Sequence, residues 1–144
     1  MIVFVNGTFD ILHRGHLELL NWAKSQGDYL VVGIDSDRRV KSLKGESRPI
    51  NSQEERKFML LNLKAVDEVK VFDSDSELES MIKSIKPDIM VVGSDWKDKS
   101  VIGSYYSSKL IFFDRIDGYS TTGIVEKTNA KSIQMWFLIM IYRL

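Results

Sequence analysis

The chain has 144 residues, and its 20 lysines and arginines are balanced by 20 aspartates and glutamates, giving zero formal net charge. That balance excludes a general nucleic-acid binder, which needs a basic surface. The lack of cysteine excludes disulfides and thiolate metal sites and suits a reducing compartment.

At this length one domain is expected, burying roughly 68–70% of the unfolded surface without covalent staples. No basic segment precedes the first apolar run, so a secretory signal is not expected and the location read from the sequence is cytoplasmic. In chain order, IVFV at 2–5 reads as a first strand. The segment NGTFDILHRGH at 6–16 follows, holding both of the chain's histidines, and leads into a helical pattern over 15–25. Gly27 lies where a helix C-terminal glycine belongs. YLVVGI at 29–34 is the second strand. Next comes a basic window, Arg38, Arg39, Lys41, Lys44 and Arg48, interrupted by a single acid, Glu46. It reads as a solvated loop, and such a loop in a neutral protein points to a small anionic ligand. The second helix spans 53–64, with Ser52 as N-cap and Glu55 as its capping-box partner. EVKVF at 68–72 is the third strand, a helix covers 77–84 before Pro87, and IMVV at 89–92 is the fourth strand. A short helix near 101–107, a fifth strand LIFF at 110–113 and a last helix over 121–131 complete the pattern.

Continuous β-branched runs separated by helices predict an α/β fold, a Rossmann-like doubly wound sheet of about five parallel strands in a single domain, residues 1–131. Ligands of such sheets bind beyond the carboxyl ends of the strands. Four segments lie there: 6–16, 33–37, 93–96 and 114–122.

His13 and His16 are three residues apart at a helix start, so both can face one spot above free backbone N–H groups. Gly15 between them allows close approach of a ligand. A phosphate site, a metal pair and a plain cap-plus-core arrangement all remain open on these residues. The metal reading lacks a third ligand at fixed spacing apart from Asp10, and no metal is assigned. A dinucleotide-binding turn is disfavoured, because G-x-G-x-x-G is missing from the first loop.

GTFDILHRGH resembles the HxGH signature of the cytidylyltransferase-like nucleotidyltransferases, and STTGIVEK at 120–127 resembles that superfamily's second nucleotide motif. The resemblance runs from about residue 2 to 127. LKGESRPINSQEER at 43–56 and VIG at 101–103 are similar to the heptose 1-phosphate adenylyltransferase branch. SDWKDK at 94–99 and RIDGYSTT at 115–122 look more like the glycerol-3-phosphate cytidylyltransferase branch. The resemblance implies transfer of a nucleoside monophosphate from ATP or CTP to a small sugar or polyol phosphate, with pyrophosphate released and Mg²⁺ carried on the triphosphate. It leans to an adenylyltransferase giving an ADP-sugar, with a cytidylyltransferase giving CDP-glycerol as the alternative. A nucleotide-binding regulatory module without transfer activity is the non-enzymatic alternative.

The same resemblance implies residue roles. His13, His16 and Lys44 are expected to be catalytic. Thr8, Phe9, Asp10, Gly15, Arg56, Asp95, Arg115, Ser120, Thr121 and Thr122 are expected at the nucleotide, and Lys41 and Arg48 at the acceptor. Trp96 reads either as a lid on the base or as core. The remaining stretch, 132–144, is an apolar tail whose run at 135–142 is too short to span a bilayer. Docking onto the core, pairing in a homodimer, an interfacial anchor and an atypical tail are its readings.

Overall fold

The structure, a computed structural model, describes residues 1–142. Five parallel strands form one sheet in the order β3-β2-β1-β4-β5. They are β1 (Ile2–Gly7), β2 (Tyr29–Asp35), β3 (Glu68–Phe72), β4 (Ile89–Gly93) and β5 (Lys109–Phe113). The helices are α1 (Arg14–Ser25), α2 (Asp37–Lys44), α3 (Gln53–Leu61), α4 (Asp75–Ile85) and α5 (Thr121–Tyr142).

The central strand explains the layering. Side chains alternate across a strand, and both faces of β1 are covered. Val3 and Val5 pack with Leu20 and Ala23 of α1, Leu60 of α3, and Leu30, Val32 and Val91 of the neighbouring strands. Phe4 packs on the opposite side with Val31, Met90 and Leu78 and Ile82 of α4. Val3, Phe4 and Val5 are at most 1% exposed. Helices on both faces produce the continuous apolar runs read from the sequence. The chain builds outward from β1 to β3 on one side and from β4 to β5 on the other. The order reverses between β1 and β4, so the crevice of this doubly wound sheet opens where the histidine segment leaves β1.

The basic window is helical up to Lys44, and only 45–48, with Arg48, remain loop. Ser36 caps α2 by accepting the Arg39 N–H, and Val40 is the helix's buried anchor. Only two of its eight residues, Val40 and Leu43, are apolar, and Leu43 is exposed, so the hydrophobic period is too short to stand out among the charges. α3 stops at Leu61 instead of 64, and the weak helix near 101–107 is a single 3-10 turn, Ser104–Tyr106. α5 runs eleven residues past its expected end, since no glycine or proline follows Gly123 before Tyr142 to stop it. The core-docked reading of the tail is corrected by exposure. Ile133, Met135, Phe137, Leu138, Met140 and Ile141 are each more than half exposed. Among the described residues, no helix is long and apolar enough to cross a membrane.

Candidate active site

His13 is the N-cap residue of α1, extended at φ −138° and ψ 172°, and its side chain makes no capping bond. His16 lies in the first helical turn. Their rings stack with centroids 3.8 Å apart at 20°. Both Nδ1 atoms are buried without a hydrogen-bond partner, a state that proteins rarely leave uncompensated. Burial pushes the His16 pKa down to about 4, and the charges of His13, Lys44 and Arg115 push the same way. The Ile11 carbonyl opposes them. Burial also lowers His13. At neutral pH the rings are therefore uncharged, in a field made positive by Lys44 and Arg115. An arriving anion would reverse that balance and favour the protonated rings.

Local sequence builds this arrangement. A Cβ on Gly15 would stand 3.0 Å from His13 Cε1 and 3.1 Å from Tyr119 Cβ, so a larger residue there requires both side chains to give way. Phe9 is 4% exposed and holds φ +50°, unusual for a bulky residue. Its ring lies 5.1 Å from that of His16. Thr8 donates its hydroxyl to Asp35 Oδ2 at 3.1 Å.

The late segment closes on the same turn. Ser120 Oγ accepts the Gly123 N–H at 3.0 Å and caps α5. Thr121 Oγ1 donates to the Ile11 carbonyl at 3.3 Å, joining positions 110 residues apart. Arg48 Nη2 reaches Thr122 Oγ1 at 3.5 Å. Two helix N-termini, those of α1 and α5, thus meet one basic segment, an arrangement built for anions. Arg115 and Asp95 pair at 3.2 Å at the exposed mouth, where Asp95 follows β4. Trp96 is 42% exposed, so it is not core. Lys41 and Lys44 project from α2 into solvent. Their neighbours in the basic window turn elsewhere. Arg38 pairs with Asp73, and Arg39 pairs with Asp35 at 2.7 Å and Asp75 at 2.6 Å.

Two of the expected nucleotide-site residues are bonded within the protein. Arg56 is 1% exposed, and its guanidinium donates to three backbone carbonyls and to Asp37. Asp10 is 4% exposed, and its carboxylate accepts the Ile50 and Asn51 N–H groups. The sequence reading missed Asn51, whose side chain bonds the Asp10 carbonyl, and Tyr119, whose ring lies 6.4 Å from His13. Tyr119 was within reach, since it directly precedes Ser120; Asn51 carries no local signal.

A doubly wound parallel sheet with paired histidines and two helix N-termini at its switch point defines a protein of the nucleotide-handling α/β class. The chain belongs to the cytidylyltransferase-like family, which matches it over residues 4–127. It is 51% identical over 126 residues to the bifunctional protein HldE of a Nitratiruptor species, and 48% identical over 126 residues to that of Helicobacter pylori. Each alignment covers 88% of this chain and 27% of the relative, so the chain spans about a quarter of the length of these relatives. A crystal structure of a lipopolysaccharide core biosynthesis protein from Thermoplasma volcanium superposes with a TM-score of 0.62 at 28% identity, covering 83% of this chain and 98% of that one.

Proposed function

We propose that the chain transfers a nucleoside monophosphate from a triphosphate to a small sugar phosphate, of the heptose 1-phosphate adenylyltransferase type. A phosphate oxygen of the acceptor attacks the α-phosphorus. The new P–O bond forms as the bond to the β-phosphate bridging oxygen breaks, and pyrophosphate leaves with those electrons. No covalent enzyme intermediate is needed, so the protein's task is alignment and charge neutralisation. The observation that carries the reading is the stacked histidine pair with both Nδ1 atoms unpartnered, facing the N-terminus of α5.

In this reading His13 and His16 donate to phosphate oxygens around the α-phosphorus. Ser120, Thr121 and Thr122 receive the β- and γ-phosphates at the α5 N-terminus, with Arg115 beside them. Thr8, Phe9 and Gly15 line the nucleotide side, and Asp95 lies toward the base and ribose. Lys44 bridges toward the acceptor, whose phosphate meets Lys41 and Arg48. Among the described residues no three His, Cys, Asp or Glu side chains converge on one point. A Mg²⁺ ion carried on the triphosphate would offset charge on the phosphates.

Similarity to a protein named for lipopolysaccharide core biosynthesis favours the heptose branch over the glycerol branch. The location proposed is cytoplasmic, where triphosphates are made, and the assembly a homodimer. Pyrophosphate release is the test, with each nucleoside triphosphate, Mg²⁺, and heptose 1-phosphate or glycerol 3-phosphate. The expected result is release with ATP and heptose 1-phosphate. CTP with glycerol 3-phosphate as the active pair would install the alternative. Nucleotide binding with no release from any pair would make the chain a regulatory module.

A further inference from the structure

Phe9 supports His16 from a backbone conformation that bulky residues adopt only when the surroundings hold them there. Both flanking residues are tied to one short segment of the chain. Before Phe9, the Thr8 carbonyl accepts Arg56 Nη1 at 2.9 Å. After it, Asp10 Oδ2 accepts the Ile50 N–H and Oδ1 accepts the Asn51 N–H, both at 2.8 Å. The Asp10 carbonyl accepts Asn51 Nδ2 at 3.1 Å. Arg56 then locks this segment onto the sheet. It donates Nε to the Asn51 carbonyl at 3.0 Å, Nη1 to the Asp35 carbonyl at 2.8 Å and Nη2 to Asp37 Oδ1 at 2.8 Å. The planar five-donor fork of arginine suits this task, and a lysine ammonium cannot span these acceptors.

The same segment carries Arg48. Its Nη1 lies 3.6 Å from Asp10 Oδ2, and its Nη2 reaches Thr122 at the α5 N-terminus. Residues 48–56 therefore connect the histidine turn, the end of β2 and the start of α5.

We infer that Asp10 and Arg56 are positioning residues, which hold the Phe9 turn under His16 and set Arg48 in register with the α5 N-terminus. This rests on the nucleotidyl-transfer reading above for its kinetic consequence, though not for its structural one. Neither residue touches substrate. Their effect passes through His16 and Arg48, since a 1 Å misplacement of such groups costs roughly a hundredfold in rate.

Asp10→Asn keeps the shape but turns an amide N–H₂ toward one of the two backbone donors. Arg56→Lys keeps the charge without the fork. Asn51→Ala, which removes only the side-chain bond to Asp10, serves where either fails to fold. The probes are amide hydrogen exchange at Ile50 and Asn51, the imidazole resonances of His13 and His16 in the ligand-free protein, and kcat and KM for ATP. Expected are faster exchange, shifted imidazole resonances, and a kcat lowered roughly 10–100-fold with KM changed less than about threefold. In the Asp10→Asn, Arg48→Lys double variant the losses should fall short of the product of the single losses, because both act through one register.

Folded variants with wild-type exchange, unshifted imidazoles and unchanged kcat would overturn the inference, and so would strictly multiplicative losses in the double variant. If the wild-type protein releases no pyrophosphate with any substrate pair, the functional reading falls. Exchange and imidazole resonances then still decide whether the clamp exists.

Discussion

His16 is the residue on which charge, burial and position meet. Loss of one preorganised phosphate donor costs on the order of 10²–10³ in rate by analogy with oxyanion-hole donors, so His16→Ala should lower turnover by that factor. Circular dichroism should show the fold intact, and an unaffected rate would remove the residue from the mechanism. Its titration makes a second prediction. The folded-state pKa of about 4 lies below the ordinary value of 6.5. Between those values the unfolded chain binds a proton that the folded chain refuses, so stability falls as pH drops from 6.5 to 4. His13, shifted in the same direction, adds to the slope. Asp73 behaves differently. Arg38 holds its carboxyl below the ordinary range, so that contribution is lost only under more acidic conditions. Urea midpoints measured from pH 7 to 4.5 should decline, and His16→Gln should flatten the decline. Nucleotide binding should reverse the shift. Calorimetry at pH 6 in buffers of different ionisation enthalpy should register proton uptake, and heats independent of buffer would contradict it.

Among the elements, α3 was the best marked in the sequence. Ser52 and Glu55 form both halves of the expected capping box, Ser52 Oγ accepting the Glu55 N–H at 3.3 Å and Glu55 accepting the Ser52 N–H at 3.3 Å. Ser52→Ala should cost about 1 kcal/mol of stability, measured by urea unfolding. α2 carried the opposite kind of sequence. Its cap is equally local, since Ser36 accepts the Arg39 N–H at 3.1 Å, but its outer face is charged. The ion pairs that hold Arg38 and Arg39 come from residues 35 and 36 positions further along, Asp73 and Asp75, and from Asp35 at the end of β2. A short window of sequence contains Asp35 but neither Asp73 nor Asp75.

For the whole molecule, the doubly wound sheet followed from the alternation of apolar runs and helices, and its strand order reverses where a ligand crevice was expected. The tail did not follow. A helix apolar on every side normally lies buried, yet the described residues of α5 beyond Ser132 are exposed. In the proposed homodimer a second copy would cover Ile133 and Phe137, both more than half exposed. Removing residues 133–144 should then convert a dimer into a monomer by light scattering while the transfer activity persists. An unchanged molecular mass would end that assignment.

The sequence by itself determined what lies within one turn or one strand. The histidines had to meet, because positions i and i+3 at a helix start share a face. Ser120 had to cap, and Gly15 had to leave room for the His13 ring, for reasons confined to a few neighbouring residues, although Tyr119 adds a distant constraint on Gly15. Only the tertiary structure decided which polar residues turn inward. Asp10 and Arg56 carry the same charges as true phosphate or base ligands would, and motif spacing places them beside the crevice. Their partners, Ile50, Asn51, Thr8 and the Asp35 carbonyl, lie 21 to 48 residues away for all but the Arg56–Asn51 bond. Such partners arrive only when the β-α crossovers fold them onto the histidine turn. Burial is a property of that assembled packing, which bonds these two expected ligands to the backbone around the histidine turn.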